Sequence, residues 1–403
     1  MSDHTSRRGF LEKVGIGSMG ALAATELLSR TQAQTPGEKI LGAGGVKTSQ
    51  RPQKVWKPVS DRKIRVGIVG YGVCQFGAAF GFQDHPNVTV AAVSDLFPDR
   101  CAALAKVCRC AKTYPSLEEL VKDDSLEAVF VATDAPSHPR HCKLVMEHGK
   151  HVASAVPAVF GSLEQAEQLL ETVKSTGRKY MMFETSAFHD ECHAMRQVYR
   201  AGGFGKLIYS EGEYLHDSVQ QIPSYRNWRV GLPPQWYPTH ATAYYVCVSG
   251  GSFTEVTCMG MPSIKELLQA SNNRYKNPFG TEVALLRTSE GGTSRMAMSW
   301  DTHVPGVEAG RVYGQRGYMV GMHYTGDEKK LPDLERPALP PSVGPGGHGG
   351  SHGNLMNEFV TAILEDRKPL VDIVTALNLT VPGIVAHQSA LRNGENLKIP
   401  QYA

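Results

Sequence analysis

Tyrosine and histidine side chains recur at short spacings in three separate runs of the sequence. Tyr214 and His216 are two residues apart, and Tyr237 and His240 are three apart. His348 stands between two pairs of glycines. Imidazole and phenol groups donate and accept protons, so these runs are the candidates for acid–base chemistry. We predict that His240 is a substrate-binding acid or base with Tyr237 beside it; the alternative is a hydrogen-bonded core histidine on an apolar helix.

The other two runs also have structural interpretations. Tyr214 and His216 would share one face of an alternating strand even without a catalytic role. The segment around His348 is rich in Gly and Pro and is too flexible to order itself, which favours a functional loop. His352 follows four residues later, but the glycines disfavour a helical metal pair and no carboxylate cluster accompanies it. No metal site is predicted, and the eight cysteines, which fit no zinc spacing, are expected to be buried thiols.

A glycine-rich turn follows the first strongly apolar run after the N-terminal segment. The chain there reads Gly70-Tyr71-Gly72-Val73-Cys74-Gln75-Phe76-Gly77. Such glycines allow a tight turn and a close backbone approach to a pyrophosphate, which then faces the free N–H groups of a helix N-terminus. Gln75 stands where the third glycine of G-x-G-x-x-G belongs. Gly77 is therefore expected to take over the contact between helix and strand.

Two acidic residues are placed to meet a bound dinucleotide. Asp95 comes 25 residues after Gly70, where an acid can accept hydrogen bonds from an adenosine ribose. Because a carboxylate repels a 2′-phosphate, NAD is predicted in preference to NADP, although Arg100 nearby leaves both open. In the alternative, the glycines merely turn the chain and Asp95 caps a helix. Glu184 ends a later strand at the ligand-binding edge of the sheet, where it would touch the cofactor or substrate, or lie at the surface.

The surrounding pattern predicts the elements that must position these residues. Strands are predicted at 64–69, 88–94, 128–132, 151–154 and 179–183, with helices at 98–108, 117–121, 139–148 and 163–176 between them. This alternation implies an α/β fold with a Rossmann domain, a doubly wound parallel sheet, over residues 61–185. Later runs at 207–213, 253–259, 281–287 and 295–300 predict an α+β domain over 186–403 with a large, open, mostly antiparallel sheet. Its predicted helices begin near His352 and at Ala376.

These motifs resemble the Gfo/Idh/MocA family of sugar-directed oxidoreductases over nearly all of residues 61–400. The resemblance rests on the glycine turn, on Val131-Ala132-Thr133 followed by His138, and on Gly149-Lys150-His151-Val152. It adds Thr133 and His138 to the predicted cofactor-binding residues. Family members continue the last run into Glu-Lys-Pro, with a lysine that points at the nicotinamide and the reacting hydroxyl. Here the chain reads Ala155-Val156-Pro157, so the ordinary dehydrogenase mechanism is in doubt.

A second departure indicates a branch of that family. Simple family dehydrogenases carry an Asp four residues before the substrate-facing His, and here that position holds Trp236. Three segments look like the NAD-dependent glycoside hydrolases of family 109: residues 214–217, residues 237–240, and the glycine–histidine run at 346–350. That branch also has Val-Pro-Ala in place of the lysine motif, as at 156–158.

Composition and the N-terminus set the wider context. The 403 residues carry a net charge of +3 without a basic stripe, so no nucleic-acid partner is predicted. Arg7-Arg8 precede Phe10-Leu11 and a weakly apolar stretch, which predicts a twin-arginine signal peptide over residues 1–33 and periplasmic or extracellular export. Residues 34–60 are predicted to form an extended linker. No membrane span is predicted after residue 30.

Export constrains the predicted reaction, because free nicotinamide cofactor is scarce outside the cytoplasm. An exported enzyme must therefore carry a bound cofactor and restore its oxidation state within each turnover. In one chemistry a sugar carbon is oxidised to a ketone, the glycosidic group is eliminated from the acidified neighbouring carbon, water adds and the ketone is reduced. In another, an exported sugar dehydrogenase oxidises one sugar and reduces a second. A non-catalytic binding module is the third alternative. The missing lysine and the glycine–histidine run favour the first of these chemistries, glycoside cleavage.

The open face of the predicted second sheet suggests that the protein forms a homo-oligomer.

Overall fold

The computed structural model describes residues 54–72, 74–217, 222–304 and 306–403. The predicted signal peptide, most of the predicted linker and Val73 lie outside these residues. Within the described part of the linker, residues 54–60 contain neither helix nor strand. No helix in the described ranges is long and apolar enough to cross a membrane.

The first half of the described chain forms a six-stranded parallel sheet in the order β3-β2-β1-β4-β5-β6. Its strands are β1 (Ile64–Val69), β2 (Val88–Ser94), β3 (Thr113–Tyr114), β4 (Ala128–Val131), β5 (His151–Ser154) and β6 (Tyr180–Met182). Its helices are α1 (Phe76–Ala79), α2 (Pro98–Val107), α3 (Leu117–Leu120), α4 (His138–Glu147) and α5 (Leu163–Thr176). This strand order is that of a Rossmann domain, as predicted. The helix expected after the glycine turn is the one-turn α1, and the two-residue β3 had no counterpart in the sequence pattern.

The second half forms an eight-stranded sheet in the order β13-β12-β11-β7-β10-β9-β8-β14. Its strands are β7 (Leu207–Leu215), β8 (Phe253–Pro262), β9 (Phe279–Thr288), β10 (Thr293–Ser299), β11 (Val307–Gly314), β12 (Gly317–Val320), β13 (His323–Gly326) and β14 (Leu397–Lys398). All pairs are antiparallel except β7 with β10, which run parallel. The predicted fold class is confirmed, while the exact domain boundary stays a prediction.

Four helices accompany this sheet: α6 (Asp190–Arg200), α7 (Thr239–Ser249), α8 (His352–Leu364) and α9 (Ile373–Leu391). The apolar helix α7 is buried from Thr239 to Val248 and lies directly on the sheet. Two glycines allow this approach, since a Cβ at Gly212 would lie 2.0 Å from the Ala241 carbonyl oxygen and one at Gly310 would lie 2.0 Å from the Tyr244 ring. The close packing fixes α7, and with it His240, against β7 and β11.

Candidate active site

A cavity of about 450 Å³ opens at the carboxyl edge of the parallel sheet. This volume lies within the range of pre-formed ligand and cofactor clefts, and the edge is where ligands bind in doubly wound folds. The first half contributes the turns that follow β1, β2 and β4. The second half contributes a segment without regular strands, from Pro223 to Arg229. The cavity therefore lies between the two halves.

The glycine turn has the close backbone contacts that a dinucleotide cradle requires. Gly70 has φ +93°, and a Cβ on it would lie 2.5 Å from the Ala132 carbonyl oxygen. A Cβ on Gly77 would lie 2.3 Å from the Gly70 carbonyl oxygen and 3.2 Å from the Ile68 side chain. Gly77 therefore provides the helix–strand contact that Gln75 cannot, as predicted. The residues present fit a pyrophosphate approaching the backbone.

Asp95 faces the cavity and also holds the glycine turn. Its Oδ2 accepts a hydrogen bond from the Tyr71 N–H at 2.8 Å, and its Oδ1 accepts one from the Phe97 N–H at 2.9 Å. Arg100 lies over the Phe97 ring, 4.4 Å from its centroid, and also lines the cavity. Asp95 does not act as the N-cap of α2, because that position is Phe97. The carboxylate is thus placed for the ribose contact that the sequence predicts.

Most of the predicted cofactor-binding residues line this cavity, and three of them, Gln75, His138 and Glu184, do not. Its lining includes Gly70, Tyr71, Gly72, Cys74, Asp95, Arg100 and Thr133. Gln75 is exposed at the N-cap of α1 and does not line it. His138 is buried, with its ring nitrogens 2.9 Å from the Pro157 carbonyl oxygen and 3.1 Å from the Thr133 carbonyl oxygen. His138 does not line the cavity, because its ring ties two loops together, and its contact with the cofactor stays a prediction.

The sequence analysis missed several residues that line the same cavity. His141 holds Thr133, with Nδ1 2.8 Å from the threonine Oγ1. Arg226 and Arg229 approach from the second half, and Arg229 stacks on Trp228 at 4.2 Å. Their segment has neither helical nor strand periodicity, so only its mixture of arginines and aromatics could have indicated a ligand-facing role.

The predicted tyrosine–histidine runs meet in one aromatic cluster beside the cavity. The Tyr214 ring lies 4.6 Å from the His240 ring, 5.9 Å from the His216 ring and 6.0 Å from the Tyr237 ring. Trp228, which lines the cavity, lies 6.3 Å from Tyr237. The aromatic cluster is therefore continuous with the cavity at the edge of the parallel sheet.

Two carboxylates surround His240. Its Nδ1 lies 2.8 Å from Glu184 Oε1 and 3.8 Å from Glu308 Oε2. Glu184 is fully buried beneath the imidazole, so the alternative of a surface position is wrong, and its contact with the cofactor or substrate stays a prediction. Burial alone would lower the pKa of His240, but the two carboxylates outweigh it and raise that pKa to about 9. At neutral pH His240 is therefore a cation, which makes it a proton donor.

Glu308 joins the separate parts of the site, and the sequence analysis did not identify it. It lies on β11 opposite Tyr214, with its carboxylate 3.4 Å from His189 Nε2 and 4.0 Å from His348 Nε2. The Ser186 hydroxyl donates to the same group at 3.3 Å. A lone Glu in an irregularly buried strand gives no signal in the sequence. Only the pairing of β11 with β7 reveals it.

The glycine–histidine run reaches this cluster from the other side. His348 Nδ1 lies 3.0 Å from His352 Nε2, and the His348 ring lies 5.8 Å from the ring of Phe76, which lines the cofactor cavity. Burial lowers the pKa of both histidines, that of His352 to about 4, so both are neutral at pH 7. No group of three or more His, Cys, Asp or Glu among the described residues could hold a metal ion.

Comparison with known proteins identifies the first half. Residues 64–184 match the model of the Gfo/Idh/MocA group, described as an oxidoreductase family with an NAD-binding Rossmann fold. The chain carries a Gfo/Idh/MocA oxidoreductase domain. The resemblance predicted from the motifs is confirmed.

Curated relatives extend the match beyond the Gfo/Idh/MocA domain. A glycosyl hydrolase family 109 protein of Streptomyces niveus is 26% identical over 383 residues, covering 84% of this chain and 77% of the relative. One of Solibacter usitatus is 25% identical over 450 residues, covering 99% of this chain and 97% of the relative. The resemblance to the family 109 branch is thereby confirmed at the level of sequence.

Solved structures share the fold of this chain. The WlbA dehydrogenase of Bordetella pertussis, in complex with NADH and UDP-GlcNAcA, superposes with a TM-score of 0.67 at 18% identity. That match covers 85% of this chain and 99% of the dehydrogenase. A levoglucosan dehydrogenase in complex with NADH and levoglucosan gives 0.65 at 16% identity, covering 84% and 100%.

The tyrosines of the site differ from the histidines in their proton chemistry. Burial raises the pKa of Tyr214 well above its ordinary value and that of Tyr237 to about 12, although Arg229 opposes the second shift. Both phenols stay protonated at neutral pH and act as donors. Burial also lowers the pKa of His216, so His216 is a neutral imidazole, as are His348 and His352. Val156, at the position of the family lysine, is buried and has no proton to give.

Replacing Glu184 by glutamine tests the charge on His240. With one carboxylate removed, burial lowers the pKa of His240 from about 9, so any activity that needs the cation loses its alkaline limb at a lower pH. In the parent, the stabilisation from the pair is complete below pH 6.5 and is lost as the pH rises through about 9. The variant should therefore be less stable than the parent below pH 6.5, and this difference should shrink as the pH rises to about 9. Profiles of kcat/KM and of thermal midpoint against pH measure both effects.

A second buried glutamate provides a matched control. Glu282 Oε1 lies 2.7 Å from His387 Nδ1, and both side chains are buried outside the aromatic cluster. Glu282→Gln should lower the thermal midpoint without moving the alkaline limb. An unchanged limb in Glu184→Gln would contradict the assignment of a charged His240.

Proposed function

We propose that this chain is an NAD-dependent enzyme that cleaves a glycoside in a closed redox cycle on a tightly bound cofactor. The observation that carries the proposal is that the charged His240 and the neutral His216 and His348 meet beside a cavity of about 450 Å³ lined by the glycine turn. The family 109 relatives support the substrate class and the missing lysine supports a departure from simple dehydrogenation. The position of Asp95 in the cavity supports NAD over NADP.

The cofactor, when bound, would accept a hydride from a sugar hydroxyl carbon and later return it. Gly70, Gly77 and Asp95 would hold it, with Arg226 and Arg229 from the second half supplying positive charge toward its phosphates. A carbohydrate would then occupy the side of the cleft walled by the aromatic cluster. Stacked aromatic rings and convergent polar groups are the usual components of such a site.

The protein residues supply the proton transfers that the cycle requires. With Nδ1 engaged by Glu184, the cationic His240 would donate through Nε2 to the sugar oxygen that becomes a ketone, and stabilise negative charge on it during elimination. Oxidation needs one acceptor for the hydroxyl proton, and elimination needs one for the proton on the neighbouring carbon. His216 and His348 are the neutral imidazoles available for these two steps.

The proposal is tested with nitrophenyl glycosides in D₂O and no added NAD. Elimination and water addition should release nitrophenol and leave one solvent deuterium on the sugar carbon next to the oxidised one, detected by NMR of the product. The denatured protein should also release a nicotinamide dinucleotide. Nitrophenol release without deuterium would contradict the cycle.

The second candidate, an exported sugar dehydrogenase or sugar–sugar oxidoreductase, is favoured by the dehydrogenase folds that superpose on this chain. It would oxidise free sugars without releasing nitrophenol. A protein that neither contains nor binds the dinucleotide would instead favour the third candidate, a binding module.

Two further proposals concern the setting of the enzyme. Residues 1–33 would direct twin-arginine export, which mass spectrometry of the periplasmic N-terminus would check. The outer face of the second sheet exposes Met259 and Leu285, and Met259 pairs across strands with Val283. Contiguous apolar surface of this kind supports association of several copies through that face. Light scattering that finds only monomers would contradict it.

A further inference from the structure

One arginine outside the aromatic cluster holds the loop that carries His348. Arg336 Nη1 donates to the Gly350 carbonyl oxygen at 2.8 Å and to the Gly349 carbonyl oxygen at 3.1 Å. Its Nε lies 2.6 Å from the Asp190 carboxylate, at the N-terminal end of α6. The loop is thereby tied to a helix of the second half.

The same guanidinium also reaches the segment on the other side of the site. Arg336 Nη1 donates to the Phe188 carbonyl oxygen at 2.9 Å. Phe188 ends the turn that begins at Thr185, and Thr185 Oγ1 lies 3.3 Å from His240 Nδ1. One side chain thus bonds both backbone segments that flank Glu308.

The loop needs such a restraint because its backbone is intrinsically free. Gly346, Gly349 and Gly350 have φ values of +76°, +62° and +75°, and His348 itself has φ +48°. Glycines lose more conformational entropy on ordering than other residues, and a histidine in the left-handed region is held there only by its surroundings. The guanidinium holds the Asp190 carboxylate with Nε while Nη1 holds the carbonyls, whereas a lysine ammonium has a single nitrogen and cannot keep both contacts in the same geometry.

Arg336 is itself anchored. The Lys54 ammonium donates to the Glu335 carbonyl oxygen at 2.5 Å and to the Arg336 carbonyl oxygen at 3.2 Å. The Arg336 side chain is only 17% exposed. The Lys54 ammonium therefore holds the backbone that carries the guanidinium.

We propose that Arg336 is a positioning residue that sets His348 against Glu308 by fastening the glycine–histidine loop to the 185–188 turn. The expected loss of turnover rests on the proposed function. The placement of His348 does not, because it can be measured without any substrate.

The test uses Arg336→Ala and Arg336→Lys in the full chain, with Arg316→Ala as the control. Arg316 is more than half exposed and its carboxylate contact, to Asp327, is 3.8 Å long. Diethylpyrocarbonate modification of His348, followed by mass spectrometry, should become several-fold faster in both Arg336 variants relative to the fully exposed His303 in the same molecule. The Arg316 variant should match the parent.

Turnover gives the second measurement. We expect kcat for nitrophenyl glycoside release to fall by about tenfold or more in both Arg336 variants, with cofactor content unchanged. Millimolar methylguanidinium should restore part of the kcat of Arg336→Ala, and methylammonium should not. Arg336→Lys keeps the charge and gives a second, less disruptive variant if Arg336→Ala fails to fold.

The outcomes separate the two proposals. A lower thermal midpoint with unchanged His348 reactivity and unchanged kcat would overturn the positioning role and leave only a structural one. If the parent releases no nitrophenol, the proposed function fails, while faster modification of His348 in the Arg336 variants would still support the placement.

Discussion

Replacing His240 by asparagine is expected to lower kcat for glycoside release by about a thousandfold, the order found when one donor to a developing negative charge is removed. Asparagine can replace only the Nδ1 edge that faces Glu184, so it loses the Nε2 donor together with the cation that Glu184 and Glu308 sustain. The imidazole lies 4.6 Å from Tyr214, within the aromatic cluster beside the cofactor cavity, so its loss acts on the sugar side. Cofactor content after purification should not change. Steady-state kinetics and absorbance of the released dinucleotide measure the two quantities.

The variant needs a companion, because removal of one partner leaves Glu184 as an uncompensated buried charge and costs about 3–5 kcal/mol. His240→Asn combined with Glu184→Gln removes that charge and should recover most of the thermal stability without recovering turnover. A double variant that is stable and retains the parent kcat would exclude His240 from the chemistry. His303→Asn, at an exposed position, is the control for loss of a histidine as such.

Replacing Gly77 by alanine is expected to weaken NAD binding by about ten- to a hundredfold. The added Cβ would lie 2.3 Å from the Gly70 carbonyl oxygen, a backbone atom that cannot move without opening the turn. Overpacking of this kind costs about 1–3 kcal/mol, and each 1.4 kcal/mol corresponds to about tenfold in affinity. Calorimetric titration of the cofactor-stripped protein with NAD gives the dissociation constant.

Gly344 offers the matched control. It has no positive φ, and a Cβ there would meet no atom within 4 Å, so Gly344→Ala should bind NAD like the parent. Equal affinities in the Gly77 and Gly344 variants would show that the turn is not the cradle. A Gly77 variant with unchanged melting and weakened binding would localise the effect to the cleft.

Local sequence patterns were sufficient to predict the Rossmann domain and its glycine turn. Buried parallel strands are continuous apolar runs, and the turn needs glycines at fixed offsets, so both leave signals within a few residues. The replacement of the third glycine by Gly77 was visible for the same reason. The expectation of buried thiols also holds, since all eight cysteines are free and only Cys74 is not buried.

The chemistry of the site was only partly visible in the sequence. The spacing of Tyr237 and His240 predicted that they lie side by side, and their rings are 5.7 Å apart. That Tyr214 joins them, 4.6 Å from His240, did not follow from the spacing. The sequence could not say which groups carry charge. A pKa depends on burial and on the nearest carboxylate, and neither quantity follows from residue spacing.

Tertiary structure alone decided which residues surround His240 and the cofactor cavity. Glu184 lies beneath the imidazole because β6 ends at the base of α7, and Glu308 lies beside it because β11 pairs with β7. His138 is turned into the interior by carbonyl groups of two loops, and Arg229 reaches the cavity from the other half of the chain. Periodicity fixes which face of its own element a residue occupies, whereas contacts between distant segments depend on strand order and on how closely the helices pack on the sheets.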